Sequence, residues 1–382
     1  MRRRFGARAL PRGVNFALAA AAIAIAIVFP LFFPQGSGWV DDMTIALAYV
    51  VMGLGLNVVV GYAGLLDLGY VAFFAIGAYT TGWFMSGFYG DANIHVLVGE
   101  FAKALPGIHM NFLIVLVIAA ALCAIAGIII GLPTLRLRGD YIAIVTLAFG
   151  EIIRVFAIEG NEITIVGDAK LTAGRQGITP IDKIDLPFID QFTSLNLRPW
   201  YWTALALVLV VLFVNIRLRD SRLGRAWIAL REDEVAAASM GIPLVKTKLM
   251  AYAVGAAFGG MSGAFLGSFL NTVNADQFAF GFSIFILAMI ILGGLGSVWG
   301  VVIGSLALSL INTRLIPDVL NDVPSNLGLD FNLVDVNYGI FGFLLVLMMV
   351  LRPEGLLPER RRQIELHEGT PGDEALVEVT HA

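Results

Sequence analysis

About ten stretches of this sequence are long and apolar enough to enter a membrane, and the chain has too few polar residues to cover them in water. They are Val14–Phe33, Thr44–Val60, Gly69–Phe88, Phe112–Leu132, Tyr141–Ile158, Tyr201–Ile216, Leu249–Leu270, Phe282–Gly296, Val298–Ile316 and Tyr338–Leu351. A helix needs roughly 20 such residues to cross roughly 30 Å of hydrocarbon, and the shorter stretches are partial or glycine-broken versions of that. Of the 382 residues, 58% are hydrophobic and 14% charged, and mean hydropathy is +0.83, where a soluble domain carries roughly 25% charged residues. Hydrocarbon offers the backbone no hydrogen bonds, so a spanning segment is either a helix or part of a closed barrel. A barrel would show alternating segments of about ten residues, and none are present. The fold class expected is all-α, a polytopic integral membrane helical bundle with about ten segments.

Residues 1–358 are expected to form one membrane domain. A long turn-rich loop at 159–199 and a polar stretch at 221–248 interrupt it. Residues 359–382 are acidic and lack an apolar pattern, which predicts a disordered tail. Lys and Arg collect on one side when the spans are alternated: Arg2, Arg3, Arg4, Arg8 and Arg12; Arg136 and Arg138; Arg217 to Lys248; and Arg352 to Arg362. That bias predicts cytoplasmic N- and C-termini. A cleaved signal peptide would have a core of only about 7–15 apolar residues, so Val14–Phe33 is read as an uncleaved span.

Several chemistries have no support. There is no phosphate-binding loop of the G-x-x-x-x-G-K-[ST] type, no H-E-x-x-H and no G-x-S-x-G. Gly293–Gly300, GGLGSVWG, superficially resembles a dinucleotide fingerprint, but it lies in an apolar run with no strand before it. His95, His109, His367 and His381 have no ligand spacing, and Cys123 is the single cysteine, so no metal site and no intrachain disulfide is expected. No catalytic residues, no resident cofactor and no nucleic-acid partner are expected.

The polar stretch Ser221–Lys248 reads in two ways. Ser221–Gly241 has the pattern of one amphipathic helix, with Trp227, Ile228, Leu230, Val235 and Met240 apolar and Arg225, Arg231, Glu232, Asp233 and Glu234 polar. Gly241 and Pro243 end it. It is either a helix lying on membrane lipid or a lever that docks on a soluble ATPase.

Within it, DEVAAASMGI, Asp233–Ile242, resembles the E-A-A…G coupling loop of ABC importer permeases, with Glu234, Ala237, Ala238 and Gly241 on the pattern. Gly55–Gly82, Leu135–Arg154, Ile286–Gly304 and LRPEGLLP at Leu351–Pro358 resemble, in order along the chain, the M-type permease subunit of the high-affinity leucine/isoleucine/valine ABC importer family. The resemblance implies a bacterial inner-membrane transport subunit that is not itself an enzyme. It also implies a second related permease subunit, two ATPase subunits that bind the ATP, and a periplasmic amino-acid-binding protein received in part by residues 159–199.

Two glycine-rich interruptions mark a candidate pathway. Gly61, Gly64 and Gly69 break an early apolar stretch, and Gly293, Gly294 and Gly296 break a late one. Broken helices in both halves of a transporter point to a substrate site, and a half-helix start offers N–H groups to a carboxylate. Tyr70, next to Gly69, is placed in the same set. Asp67 is an ionisable group near membrane depth, either a substrate contact or the cap of a helix beginning at Leu68. Glu151 and Arg154 are spaced to face each other, as an anchoring pair or as a gate. The competing functions are an ABC permease for urea or short amides and an ion-driven secondary transporter.

Overall fold

The computed structural model describes residues 21–99, 103–134, 137, 140–166, 169–185, 192–193, 195–320, 336–352 and 354–357. The five N-terminal arginines, the start of the Val14–Phe33 segment, Arg136, Arg138, Arg360 to Arg362 and the 359–382 tail lie outside the described residues.

Within them the expected bundle is present. The helices are α1 (Ala21–Phe32), α2 (Gly38–Leu56), α3 (Val71–Phe84), α4 (Phe112–Thr134), α5 (Asp140–Glu159), α6 (Arg198–Asp220), α7 (Arg222–Glu232), α8 (Glu234–Ser239), α9 (Leu244–Phe269), α10 (Phe280–Gly293), α11 (Val298–Leu310) and α12 (Asn337–Leu351). Six helical segments are long and apolar enough to cross a membrane, and α1, α3, α10 and α12 are shorter apolar helices. Together they account for the ten stretches read from the sequence. Two spans end in π-helical turns: α2 continues through Asn57–Tyr62, and α11 through Ile311–Leu320.

Burial decides which helices are central. In an apolar 18-residue stretch of each, 83% of residues are buried in Gly38–Tyr62 and 72% in α9, against 28% in α4. α9 packs against α4, α3 and α2, and α11 joins α2 to α10. Small residues permit the close approach: a Cβ on Gly77 of α3 would collide with the backbone of Gly260 on α9. The exposed faces of α4 and α5 carry Val117, Ile125, Ile129, Ile144, Val155 and Phe156, which suits lipid or another subunit and not water.

The two ends of the bundle differ. At the far end, β1 (Met85–Ser86) pairs with β3 (Ile108–Met110), which pairs in parallel with β2 (Ile94–Val96); β4 (Thr164–Val166) and β5 (Ala169–Lys170) form a separate two-stranded ribbon. The described part of the 159–199 loop is packed. Ile178 exchanges backbone hydrogen bonds with Val273, and Asp182 meets His109 at 2.6 Å and takes Ser268 Oγ onto its carbonyl at 2.9 Å. At this end Arg314 also pairs with Asp42 and lies 4.6 Å over the Trp39 ring, fastening the end of the α11 segment to the start of α2.

The basic end holds α7, α8 and both glycine breaks. Here the single amphipathic helix expected over Ser221–Gly241 is two helices. Asp233 is extended (φ −153°, ψ 114°), and its carboxylate accepts the N–H groups of Val235 and Ala236 at 2.8 and 3.0 Å. An Asp that satisfies the first amides of a new helix competes with continuing the old one. The first half packs inward through Trp227 and Leu230, whereas the second turns Ala237 inward and leaves Val235 and Met240 exposed.

Candidate functional site

The first break begins where α2 widens. Its π-helical turns end with Ala63 N–H on Val58 O and Leu65 N–H on Val59 O. The chain then runs without regular structure to Val71. Asp67 is buried, and its Oδ1 accepts the Gly69 N–H at 2.9 Å. The capping reading is corrected, because the N-cap of α3 is Tyr70. α3 starts at Val71 and not at Leu68, so Asp67 holds a turn ahead of the helix. Its Oδ2 accepts no hydrogen bond within the described residues.

The amides leading into α3 are already engaged. Leu68 N–H donates to Thr146 Oγ1 of α5 at 3.0 Å, Gly69 N–H to Asp67, and Val71 N–H to Ser283 Oγ of α10 at 3.3 Å. In this arrangement the N–H groups that the sequence suggested for a carboxylate are held by side chains from three elements. Gly69 is needed for close approach, since a Cβ there would run into the Thr146 carbonyl of α5. Tyr70 is fully buried and donates its hydroxyl to Gly255 O of α9 at 2.6 Å.

The second break is shorter. α10 ends at Gly293, Gly294 and Gly296 have φ of +117° and +84°, and α11 starts at Val298, with Ser297 Oγ accepting the Gly300 N–H at 3.1 Å. Positive φ at both positions explains why glycine stands there. The segment after α12 closes this break by backbone: Leu356 N–H reaches Leu292 O at 2.8 Å and Leu357 N–H reaches Gly293 O at 3.0 Å. That gives the LRPEGLLP motif a physical role among the described residues.

The two breaks touch. Asn57, completely buried in the π-helical turn of α2, accepts the Gly296 N–H on its Oδ1 at 2.9 Å, across 239 residues of sequence. A Cβ on Gly61 would stand 2.7 Å from the same Gly296 nitrogen. Asn57 is absent from the sequence-based candidates. The signal was available: an amide side chain inside the run LGLNVVVG has to find a partner when buried.

The coupling candidates lie beside the first break. Glu234 pairs with Lys248 at 2.6 Å, and that lysine is 4% exposed. Ala237 is buried, Ala238 is exposed, and Gly241 is exposed with φ of +82° and open space where a Cβ would be. Glu234 is thus tied to the base of α9. The outward surface is Val235, Met240 and, past the Gly241 turn, Val245, at 67%, 83% and 56% exposure. Arg231 at the end of α7 donates Nη1–H to Gly61 O at 2.7 Å.

Glu151 and Arg154 do meet, at 3.4 Å and partly exposed, on α5. Next to them a hollow of about 320 Å³ is lined by Glu151, Ile152, Val155, Phe156, Glu159 and Ile163. All of its lining but Ile163, just past the helix, belongs to α5, whose Thr146 meets the break. Among the described residues no group of His, Cys, Asp and Glu is arranged to hold a metal ion.

A family profile described as "Branched-chain amino acid transport system / permease component" matches residues 40–349. The high-affinity branched-chain amino acid transport system permease protein LivM of Salmonella typhimurium is 37% identical over 369 residues, covering 91% of this chain and 76% of the relative. The probable LivM of Methanocaldococcus jannaschii is 27% identical over 82% of this chain and 91% of its own length. The permease protein LivH of Escherichia coli is 30% identical over 171 residues, 44% of this chain and 49% of that protein. No solved structure matches. With its apolar bundle, its paired glycine breaks and a profile match over most of its length, the chain belongs to the branched-chain amino acid transport system permease family.

Proposed function

We propose that this chain is the membrane permease subunit of a binding-protein-dependent ABC importer, passing branched-chain amino acids into the cytoplasm while separate ATPase subunits supply the work. The observation that carries the reading is the small exposed projection at the basic end. Val235 and Met240 at the end of the two-helix arm, with Val245 at the start of α9, present apolar side chains to solvent, while Trp227 and Leu230 of the arm are buried against the bundle. A water-facing apolar tip on an otherwise polar turn is the kind of surface that another protein covers. The basic end faces the cytoplasm, with both termini on that side, and the far-end strands and the 159–199 loop receive the binding protein. A LivH-type permease completes the membrane part.

Inside the bundle, apolar walls suit a branched side chain. The buried Asp67 carboxylate, with one oxygen unengaged, supports a role in meeting the substrate ammonium when the breaks open. Asp67→Asn keeps an oxygen for the Gly69 N–H and removes the charge. Full uptake by that variant would leave Asp67 as a turn-former alone.

The deciding experiment is reconstitution in proteoliposomes. Leucine uptake is expected only when ATPase subunits, ATP and binding protein are all present, and excess urea should not compete. Uptake by this chain alone on a sodium or proton gradient would make it a secondary transporter and leave the arm without a purpose. Met240→Asp should lower ATPase co-purification by about tenfold, the loss expected when a central apolar contact of about 1.4 kcal/mol is removed.

A further inference from the structure

Arg231 sits at the last turn of α7, 170 residues from the carbonyl it serves. That carbonyl, Gly61 O, is at the end of the α2 segment, where the last C=O groups of a helix have no partner of their own. These groups also form the negative end of the helix dipole, so a cation is favoured there. The Arg231 guanidinium supplies a charge-assisted hydrogen bond at 2.7 Å. Its stem lies across Gly64, where a Cβ would collide with Cβ and Cγ of Arg231. The arginine is therefore seated at two points, with its stem on Gly64 and its head on Gly61.

Other residues of the arm are tied to α9, and α7 also packs on α6 and on the Asn57–Tyr62 turn. Trp227 is completely buried and donates Nε1–H to Thr247 O at 2.9 Å, and Glu234 pairs with Lys248. The arm and the base of α9 thus form one stiff piece, with Arg231 crossing from it to α2. One turn before Gly61 stands Asn57, whose Oδ1 holds Gly296 N–H of the second break. Two side chains, Arg231 and Asn57, join the projecting arm to both interruptions in the bundle.

We infer that Arg231 is the positioning residue through which displacement of α7 and α8 is passed to the two broken spans, by pulling on the Gly61 carbonyl and, through Asn57, on Gly296. This rests on the ATPase-driven reading above. A contiguous chain of bonds does not by itself establish coupling, so the test reads coupling directly. Arg231→Met keeps an unbranched stem over Gly64 and removes the donors; Arg231→Lys keeps a cationic donor. Each is assembled with the partner permease, the ATPases and the binding protein in proteoliposomes, and leucine taken up is measured per ATP hydrolysed.

Arg231→Met is expected to retain ATPase co-purification and hydrolysis while uptake per ATP falls about tenfold, within the range typical of coupling between two sites. Arg231→Lys should recover most of the loss. Equal uptake per ATP in Arg231→Met and the unaltered protein overturns the inference. So does a loss that Arg231→Lys fails to recover. Should Arg231→Met not assemble, hydrogen exchange on the unaltered complex decides. Residues 61–65 and 222–232 must change protection together between nucleotide-free and ATP-trapped states, and a change confined to 222–232 overturns the inference. An unaltered complex without ATP-dependent uptake would instead defeat the functional reading.

Discussion

The two glycine breaks lie against each other but are held in different ways. The first, from Gly61 to the start of α3 at Val71, is held by side chains from four places: Arg231 of α7, Thr146 of α5, Ser283 of α10 and its own Asp67. The second, Gly294 to Ser297, is held largely by main chain, with Leu356 and Leu357 laid along the end of α10. Side-chain bonds can be exchanged one at a time by rotamer changes, whereas a run of backbone bonds moves as a unit or not at all. The difference teaches that the first break can exchange its contacts one by one, whereas the second, pulled at Gly296 through Asn57, moves as one piece.

The largest effect should come from disturbing the backbone-held break. A Cβ on Gly293 would run into the Gly300 carbonyl of α11, which is backbone and cannot step aside. Gly293→Ala should force α10 and α11 apart at a cost of about 3 kcal/mol, read as a lower thermal midpoint in detergent. A variant as stable as the parent would show that the second break yields after all.

Next is the bridge. Asn57→Leu leaves the Gly296 N–H buried without its acceptor, which costs about 1–3 kcal/mol. Asn57→Asp keeps an acceptor, and comparing the two by thermal unfolding separates the lost bond from the changed shape.

The arm's own anchor should be asymmetric. Glu234→Gln strands the buried Lys248 ammonium, and because Glu234 is about one-third exposed the usual penalty for a broken buried pair shrinks to about 1–2 kcal/mol. Lys248→Met leaves a glutamate that can turn to water, and should cost under about 1 kcal/mol. Equal losses by thermal unfolding would mean that Lys248 is hydrated.

How much of this was legible in the sequence depends on the range of the interaction. The spans could be read because length and apolarity are local properties, and the breaks could be read because positive φ selects glycine at Gly64, Gly294 and Gly296. The split of the arm was locally encoded too, by Asp233 as an N-cap, but the amphipathic pattern runs on through it. What could not be read were the partners. Nothing near Arg231 in sequence points to Gly61, nothing near Asn57 points to Gly296, and the Glu234 that matches an ATPase-docking pattern turns out to be engaged by Lys248.

The smallest effect expected lies at the far end. Burial raises the Asp182 carboxyl above its ordinary value, outweighing the pull of the adjoining His109 and of His95. A group that binds its proton more tightly when folded adds stability at acid pH, and that stability is lost as pH rises through its folded value. Thermal midpoints should therefore drift slightly upward as pH falls into the carboxylate range, and Asp182→Asn should flatten that drift. An unchanged slope in the variant would assign the drift to other groups.

The two backbone bonds of Leu356 and Leu357 to the end of α10 also have a practical meaning. Leu356 and Leu357, though partly exposed, are masonry: their amides bind the last carbonyls of α10. A protease site, affinity handle or fluorescent fusion inserted between Glu354 and Leu357 would pull a brick from beneath Gly293.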